Sequence, residues 1–244
     1  YPHIVLFDTP MDIEWTVFAD SLEGLFLHEL THAVSLSSRG PLFRALHGVF
    51  GGWVVPTALT APLFMVEGVT VGFESLDGTG RVNDPEVRQR IRQAIHEGTA
   101  LTPFQASGVY DKPPTGRAYY EYGGLFTAYL LRTYGLDKYR ELWAAMGRRI
   151  PLSLRFYRSG FFGLFRRVYG VEPVRAWEGF LDSLALEGIE DAPVRPVVRG
   201  ELLIEDLAAA GDRVFFLDRN SRHVQVYDAR TGETGTLLGV DGSA

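Results

Sequence analysis

The chain has 244 residues, 46% of them hydrophobic, which suffices for one large domain or for a medium domain with a smaller appendage. A net charge of −6 with Lys and Arg scattered rather than gathered in runs gives no basic face, so nucleic acid is excluded as an expected partner. The absence of cysteine excludes disulfides and thiolate metal sites, leaving His, Asp and Glu as the only side chains able to hold a metal. No run of about 20 apolar residues is present that could span a bilayer.

In chain order, His3-Ile-Val-Leu-Phe7 reads as a short strand ended by Asp8-Thr9-Pro10, and residues 13–18 as a second. A strand that starts at the first residues points to upstream sequence, such as an export signal or a lipid anchor that has been removed. From Asp20 to Leu36 the pattern is helical, with Asp20 or Ser21 as the N-cap and Glu23 in the first turn. A Gly-rich stretch through Gly51 and Gly52 follows. Pro62 then opens an apolar helix running to about Ser75, and Pro85 an amphipathic one through Val87, Ile91 and Ile95. A longer helix runs from Tyr119 to Tyr134 and is stopped by Gly135. Two more are expected near 137–147 and 173–187, with a helical or looped aromatic stretch at Phe161 to Tyr169 between them.

Near residue 190 the composition changes. Ala192-Pro193-Val194-Arg195-Pro196 reads as a linker, and beyond it hydrophobicity alternates in steps of two. Residues 213–218, the turn 219–222, residues 223–228 and Thr231-Gly-Glu233 make a hairpin-like unit that resembles one blade of a β-propeller; a lone β-hairpin packed on the helical domain is the alternative. The expected organisation is a helical domain over 1–190, a linker over 191–199 and a β segment over 200–244. The fold class is α+β, mainly helical. A propeller would give this chain a surface for a protein partner.

The chemistry-bearing pattern is His28-Glu29-Leu30-Thr31-His32. Two imidazoles four residues apart share one helix face and can reach a single zinc ion, while the Glu between them stands beside it. There Glu29 can take a proton from a water acidified by the metal. The apolar neighbours Leu25-Phe26-Leu27 and Ala33-Val34 predict a buried helix, in which two unsatisfied imidazoles would be costly. A catalytic zinc site has three protein ligands and an open position. His47 is one conceivable third ligand. Glu67 is the better one, because it is a single carboxylate interrupting the apolar helix Pro62-Leu-Phe-Met-Val-Glu67-Gly68-Val-Thr70, and a buried carboxylate demands a partner.

An apolar stretch followed by Glu67-Gly68, downstream of this His-Glu-x-x-His, resembles the second helix of the gluzincin metallopeptidases. The resemblance implies that Glu67 is the third ligand of one zinc ion per chain. Tyr120-Glu-Tyr-Gly123 followed by Leu125-Phe126 is similar to the Tyr-x-x-Gly helix start of the aminopeptidase-like members, which implies that Tyr120 stabilises the oxyanion; Tyr119 and Tyr122 crowd the same turn. The stretch Gly160 to Gly170, with Trp177 and Phe180, resembles the family's closing helices. For the partner that zinc-bound imidazoles normally require, Glu74 is the candidate, two turns beyond Glu67, with Thr70 as a substitute. The Gly-rich motif by which aminopeptidases of this kind capture a substrate amine is missing upstream.

The resemblance implies a zinc-dependent peptide hydrolase acting on a peptide or protein, with Glu29 and Tyr120 as catalytic residues and His28, His32 and Glu67 as metal ligands. The rival expectation is a catalytically quiet zinc-binding scaffold of the cell envelope. A propeller fused to such a domain looks most like an extracytoplasmic bacterial protein, meeting the membrane only through a removed anchor.

Overall fold

The computed structural model describes residues 21–108, 112, 114–149, 160–185, 204–218 and 221–239. The expected strands at 3–7 and 13–18, the cap position Asp20 and the linker at 191–199 lie outside them. The chain divides into two compact units, Tyr1–Glu187 and Gly188–Ala244.

The first unit is helical: α1 (Ser21–Ser35), α2 (Pro41–Phe50), α3 (Pro56–Thr60), α4 (Leu63–Glu74), α5 (Pro85–His96), α6 (Ala118–Tyr134), α7 (Leu136–Arg148), α8 (Phe162–Tyr169) and α9 (Pro173–Leu184). Proline stands in the first turn of α2, α3, α5 and α9, where its missing N–H costs nothing. Asp84 caps α5 by accepting the Glu86 N–H at 2.8 Å, and Gly170, left-handed at φ 78°, ends α8. Two helices, α2 and α3, occupy the segment expected to be a Gly-rich connection; their opening prolines, Pro41 and Pro56, were the signals in the sequence.

The core is aromatic. Phe126 of α6 lies 4.9 Å, centroid to centroid, from Trp177 and 5.6 Å from Phe180, both on α9, and stacks on Phe165 of α8. The buried Trp177 indole is satisfied by donating to Leu101 O at 2.9 Å. This core holds α4 and α6 together, and α1 also packs on α4.

α1 departs from expectation. It is not a buried helix: Phe26 is 44% and Val34 65% exposed. His28, by contrast, is buried. Its apolar flanks therefore serve two different surfaces, a distinction that hydrophobicity without strict periodicity does not carry.

The second unit is a four-stranded antiparallel sheet of order β1-β2-β3-β4, built from β1 (Ile204–Ala210), β2 (Arg213–Asp218), β3 (His223–Asp228) and β4 (Glu233–Gly239). The alternating segments 213–218 and 223–228 form the central pair, with Phe216 opposite Gln225 and Val214 opposite Tyr227. The flanking strands extend the expected hairpin. β1, rich in alanine and lacking alternation, carried no strand signal. The chain is thus α+β and mainly helical. Among the described residues no helix is long and apolar enough to cross a membrane.

Candidate metal centre

α4 is the element against which the site is assembled. It lies between α1 and α6, and its contact with α6 is made through glycine. A Cβ on Gly68 would collide with the backbone of Gly123, and one on Gly72 would meet the Thr127 side chain at 2.5 Å. The two backbones therefore approach where neither carries a side chain. Glu67 immediately precedes Gly68, and Tyr120 lies three residues before Gly123, so the crossing that glycine permits carries both side chains to one place.

His28 and His32, one turn apart on α1, face Glu67. Their Nε2 atoms lie 3.6 and 3.2 Å from Glu67 Oε2, and the three ligand atoms fall within 4.8 Å of one another. Zinc bonded to nitrogen and oxygen at about 2.0–2.2 Å in a tetrahedron separates its ligands by about 3.3–3.5 Å. The spacing to Glu67 matches those edges. Among the described residues this is the grouping that could hold a metal ion, and His47 is not part of it.

The second nitrogen of His28 is also engaged. Nδ1 lies 2.9 Å from Glu74 Oε2, and Glu74, buried at the end of α4, takes Arg81 on both oxygens, Nε at 2.7 Å and Nη2 at 2.8 Å. Since an ionised carboxylate only accepts, His28 Nδ1 is the donor in that contact, and the ring's other nitrogen, Nε2, faces Glu67. The expected partner role thus falls to Glu74. Thr70 spends its hydroxyl on the backbone, donating to Glu67 O at 2.5 Å. His32 Nδ1 has no hydrogen-bond partner among the described residues.

The electrostatics follow from burial and pairing. Burial alone would drive the Glu67 carboxyl up, but the imidazoles of His28 and His32 outweigh it and bring it down to about 2. Burial acts likewise on Glu74, where Arg81 and His28 prevail and hold it at about 2. Burial would depress the His28 imidazole, yet Glu67 and Glu74 together raise it. A buried Glu74 and a part-buried Glu67 beside two imidazoles make a site for positive charge, whether protons or a cation.

Of the three tyrosines at the start of α6, Tyr120 reaches the site. Its ring lies 6.1 Å from the His28 ring and 4.9 Å from the Arg81 guanidinium carbon, and burial, then the charge of Glu67, holds its phenol well above the ordinary range. Tyr119 packs on Tyr120 at 4.5 Å. Tyr122 turns the other way, stacks on Trp177, and accepts the Leu101 N–H at 3.4 Å. Glu29, roughly 100° around α1 from His28, is partly buried. Arg81 was not singled out by its sequence: it lies in the loop between α4 and α5, where no periodicity marks a side chain as inward. The one signal was Asp77-Gly-Thr-Gly80, a tight turn able to fold the chain back on α4.

A cavity of about 910 Å³ lies along α5, lined by residues including Arg90, Gln93, Lys112 and Tyr122. His28, His32 and Glu67 are not among the residues that line it, and the chemistry of the donor set, rather than cavity size, marks the candidate site.

No protein-family model matches the chain, and no solved structure matches it. It is similar to a stretch of an uncharacterized protein of Treponema pallidum (strain Nichols), 31% identical over 233 residues. The similarity covers 92% of this chain and 19% of that protein, so the chain spans about a fifth of its relative's length.

Proposed function

We propose that the helical unit is a gluzincin-type zinc peptidase, with one zinc ion on His28, His32 and Glu67. The observation that carries this reading is the convergence of the two Nε2 atoms on Glu67 Oε2, at 3.6 and 3.2 Å, with Glu29 on the same helix between the two histidines. Bound zinc would supply Lewis acidity for the scissile carbonyl and acidify a water. Three protein ligands leave a fourth position open, which a purely structural zinc would not.

The chain's own residues then have these roles. Glu29 takes a proton from the attacking water and passes it to the departing amine, so that one carboxylate serves first as base and then as acid. Tyr120 donates its phenolic hydrogen to the carbonyl oxygen as negative charge develops there, and the high phenol pKa imposed by burial and Glu67 keeps that hydrogen in place. Glu74 fixes the His28 ring through Nδ1.

The test is zinc content by elemental analysis of wild type and Glu67→Ala, with hydrolysis of a mixed peptide library by wild type and Glu29→Gln. One zinc per chain, lost or weakened in Glu67→Ala, with cleavage abolished in Glu29→Gln, is the expected result. Zinc binding without cleavage by wild type would return the scaffold reading, and absence of zinc would sink both.

A further inference from the structure

Arg81 is buried, and a buried guanidinium persists only where its N–H groups are satisfied. It is delivered by an unusual piece of backbone. Gly80 adopts φ +74°, and a Cβ there would meet Ser75 Oγ at 2.5 Å, so the chain doubles back tightly on the end of α4. The loop is pinned in that course: Ser75 Oγ accepts the Val82 N–H at 3.2 Å, and Asn83 Nδ2 donates to Ser75 O at 2.7 Å.

So delivered, Arg81 touches both halves of the site. On one side its Nε and Nη2 engage the two oxygens of Glu74 in a parallel fork, and Nη2 comes within 2.9 Å of His28 Nδ1. The two donors, Arg81 Nη2–H and His28 Nδ1–H, thus share Glu74 Oε2. On the other side the guanidinium carbon stands 4.9 Å from the Tyr120 ring centroid, within the range of a cation–π contact. Glu74 freed of Arg81 could rotate away, leaving His28 to carry its proton on either nitrogen; Tyr120 would lose the surface beneath its ring.

We propose that Arg81 is a positioning residue that couples the two sides of the site, holding Glu74 so that His28 presents Nε2 to the metal and holding the Tyr120 ring beside it. The proposal rests on the zinc-peptidase reading for its catalytic consequence, but its effect on the His28 ring exists without metal. Lysine cannot replace the residue fully, because one ammonium lacks the planar fork that engages two carboxylate oxygens while its central carbon stands over a ring.

The experiment compares wild type with Arg81→Met, Arg81→Lys, Glu74→Gln and the Arg81→Met/Glu74→Gln pair. Three quantities are read: the ¹⁵N signals of the His28 ring in metal-free protein, zinc affinity by chelator competition, and kcat and KM on one cleaved peptide. Wild type is expected to show His28 protonated at Nδ1, and Arg81→Met a mixture of ring forms with zinc bound about 10–100-fold more weakly. The double variant should be no weaker than the worse single one, since both act through the same ring. Arg81→Lys should recover part of the zinc affinity, and kcat should fall in Arg81→Met with KM within about twofold. Unchanged His28 signals and zinc affinity in folded Arg81→Met, or fully additive losses in the double variant, would overturn the proposal. Should Arg81→Met fail to fold, Arg81→Lys and Glu74→Gln decide the same comparison. If wild type binds no zinc or Glu29→Gln still cleaves, the peptidase reading fails, and the metal-free His28 signals alone judge Arg81.

Discussion

Gly68 on α4 and Gly123 on α6 meet backbone to backbone: a Cβ on Gly68 would collide with the Gly123 carbonyl, and one on Gly123 with the Phe64 carbonyl one turn before Gly68. Because Glu67 is next to the first and Tyr120 three residues before the second, this one contact sets the distance between a proposed metal ligand and the phenol proposed to assist it. The Glu-Gly and Tyr-x-x-Gly patterns of the sequence are two halves of a single helix crossing.

Gly68→Ala is therefore expected to destabilise the helical unit by about 1–3 kcal/mol, despite alanine's better helix propensity, because backbone cannot yield as a side chain can. Gly163→Ala on α8, where nothing lies within 4 Å of the added Cβ, should be neutral or slightly stabilising. Urea unfolding of the two variants checks this, and equal stabilities would contradict the close approach.

Zinc should stabilise the protein by mass action. At free zinc one hundredfold above Kd the gain is about 2.7 kcal/mol, or roughly 5–10 °C in Tm for a unit of this size. A chelator should reverse the shift, and His32→Ala should abolish it. Thermal melts with and without metal suffice, and a shift of the same size in His32→Ala would place the ion elsewhere.

The three tyrosines can be separated by function. Tyr120→Phe should lower kcat by about 10²–10³-fold, the usual cost of one oxyanion donor. Tyr119→Phe should leave turnover within a few fold. Tyr122→Phe removes the acceptor for the Leu101 N–H and should instead cost about 1 kcal/mol of stability. Equal kinetics in Tyr120→Phe and Tyr119→Phe would remove the role assigned to Tyr120.

Glu121 gives the stability of the helical unit a pH dependence. Burial pushes its carboxyl up to about 7, against the pull of Arg90, which pairs with Oε1 while the buried Oε2 has no partner among the described residues. The folded state then binds the proton more tightly than the unfolded chain, whose carboxyl titrates near 4.5. The stability it supports is complete below about 4.5 and is lost as pH rises through about 7. Glu121→Gln should abolish that loss, gaining on the order of 1–3 kcal/mol relative to wild type between pH 5 and pH 8. Denaturant melts at the two pH values measure it; an unchanged difference between variant and wild type would show that Glu121 titrates normally.

Within the core, Phe126→Ala should cost about 3–5 kcal/mol, since the ring is buried among Trp177, Phe180 and Phe165. A loss below about 1 kcal/mol, read by calorimetry, would mean that the aromatic packing is not as described.

The sequence by itself determined what is local. His28 and His32 four residues apart had to share a face of any helix they occupied, and Glu67, a carboxylate within the apolar run from Pro62 to Thr70, had to find a partner. Gly135 and the helix-opening prolines bounded elements with little help from elsewhere, and the two-residue alternation of 213–228 fixed the central strands. Composition misled where pattern was weak: β1 alternates too little to read as a strand, α2 and α3 were hidden by neighbouring glycines, and α1's apolar flanks read as buried although Phe26 and Val34 face outward. Tertiary structure alone decided the rest. Which of three adjacent tyrosines meets His28, that Glu74 rather than Thr70 holds its ring, and that Arg81 stands behind both depend on how α1, α4, α6 and one non-periodic loop come together. Helical repeat specifies the face on which a residue lies, whereas the neighbour across that face is set by backbone approach and long-range pairing, which no local pattern encodes.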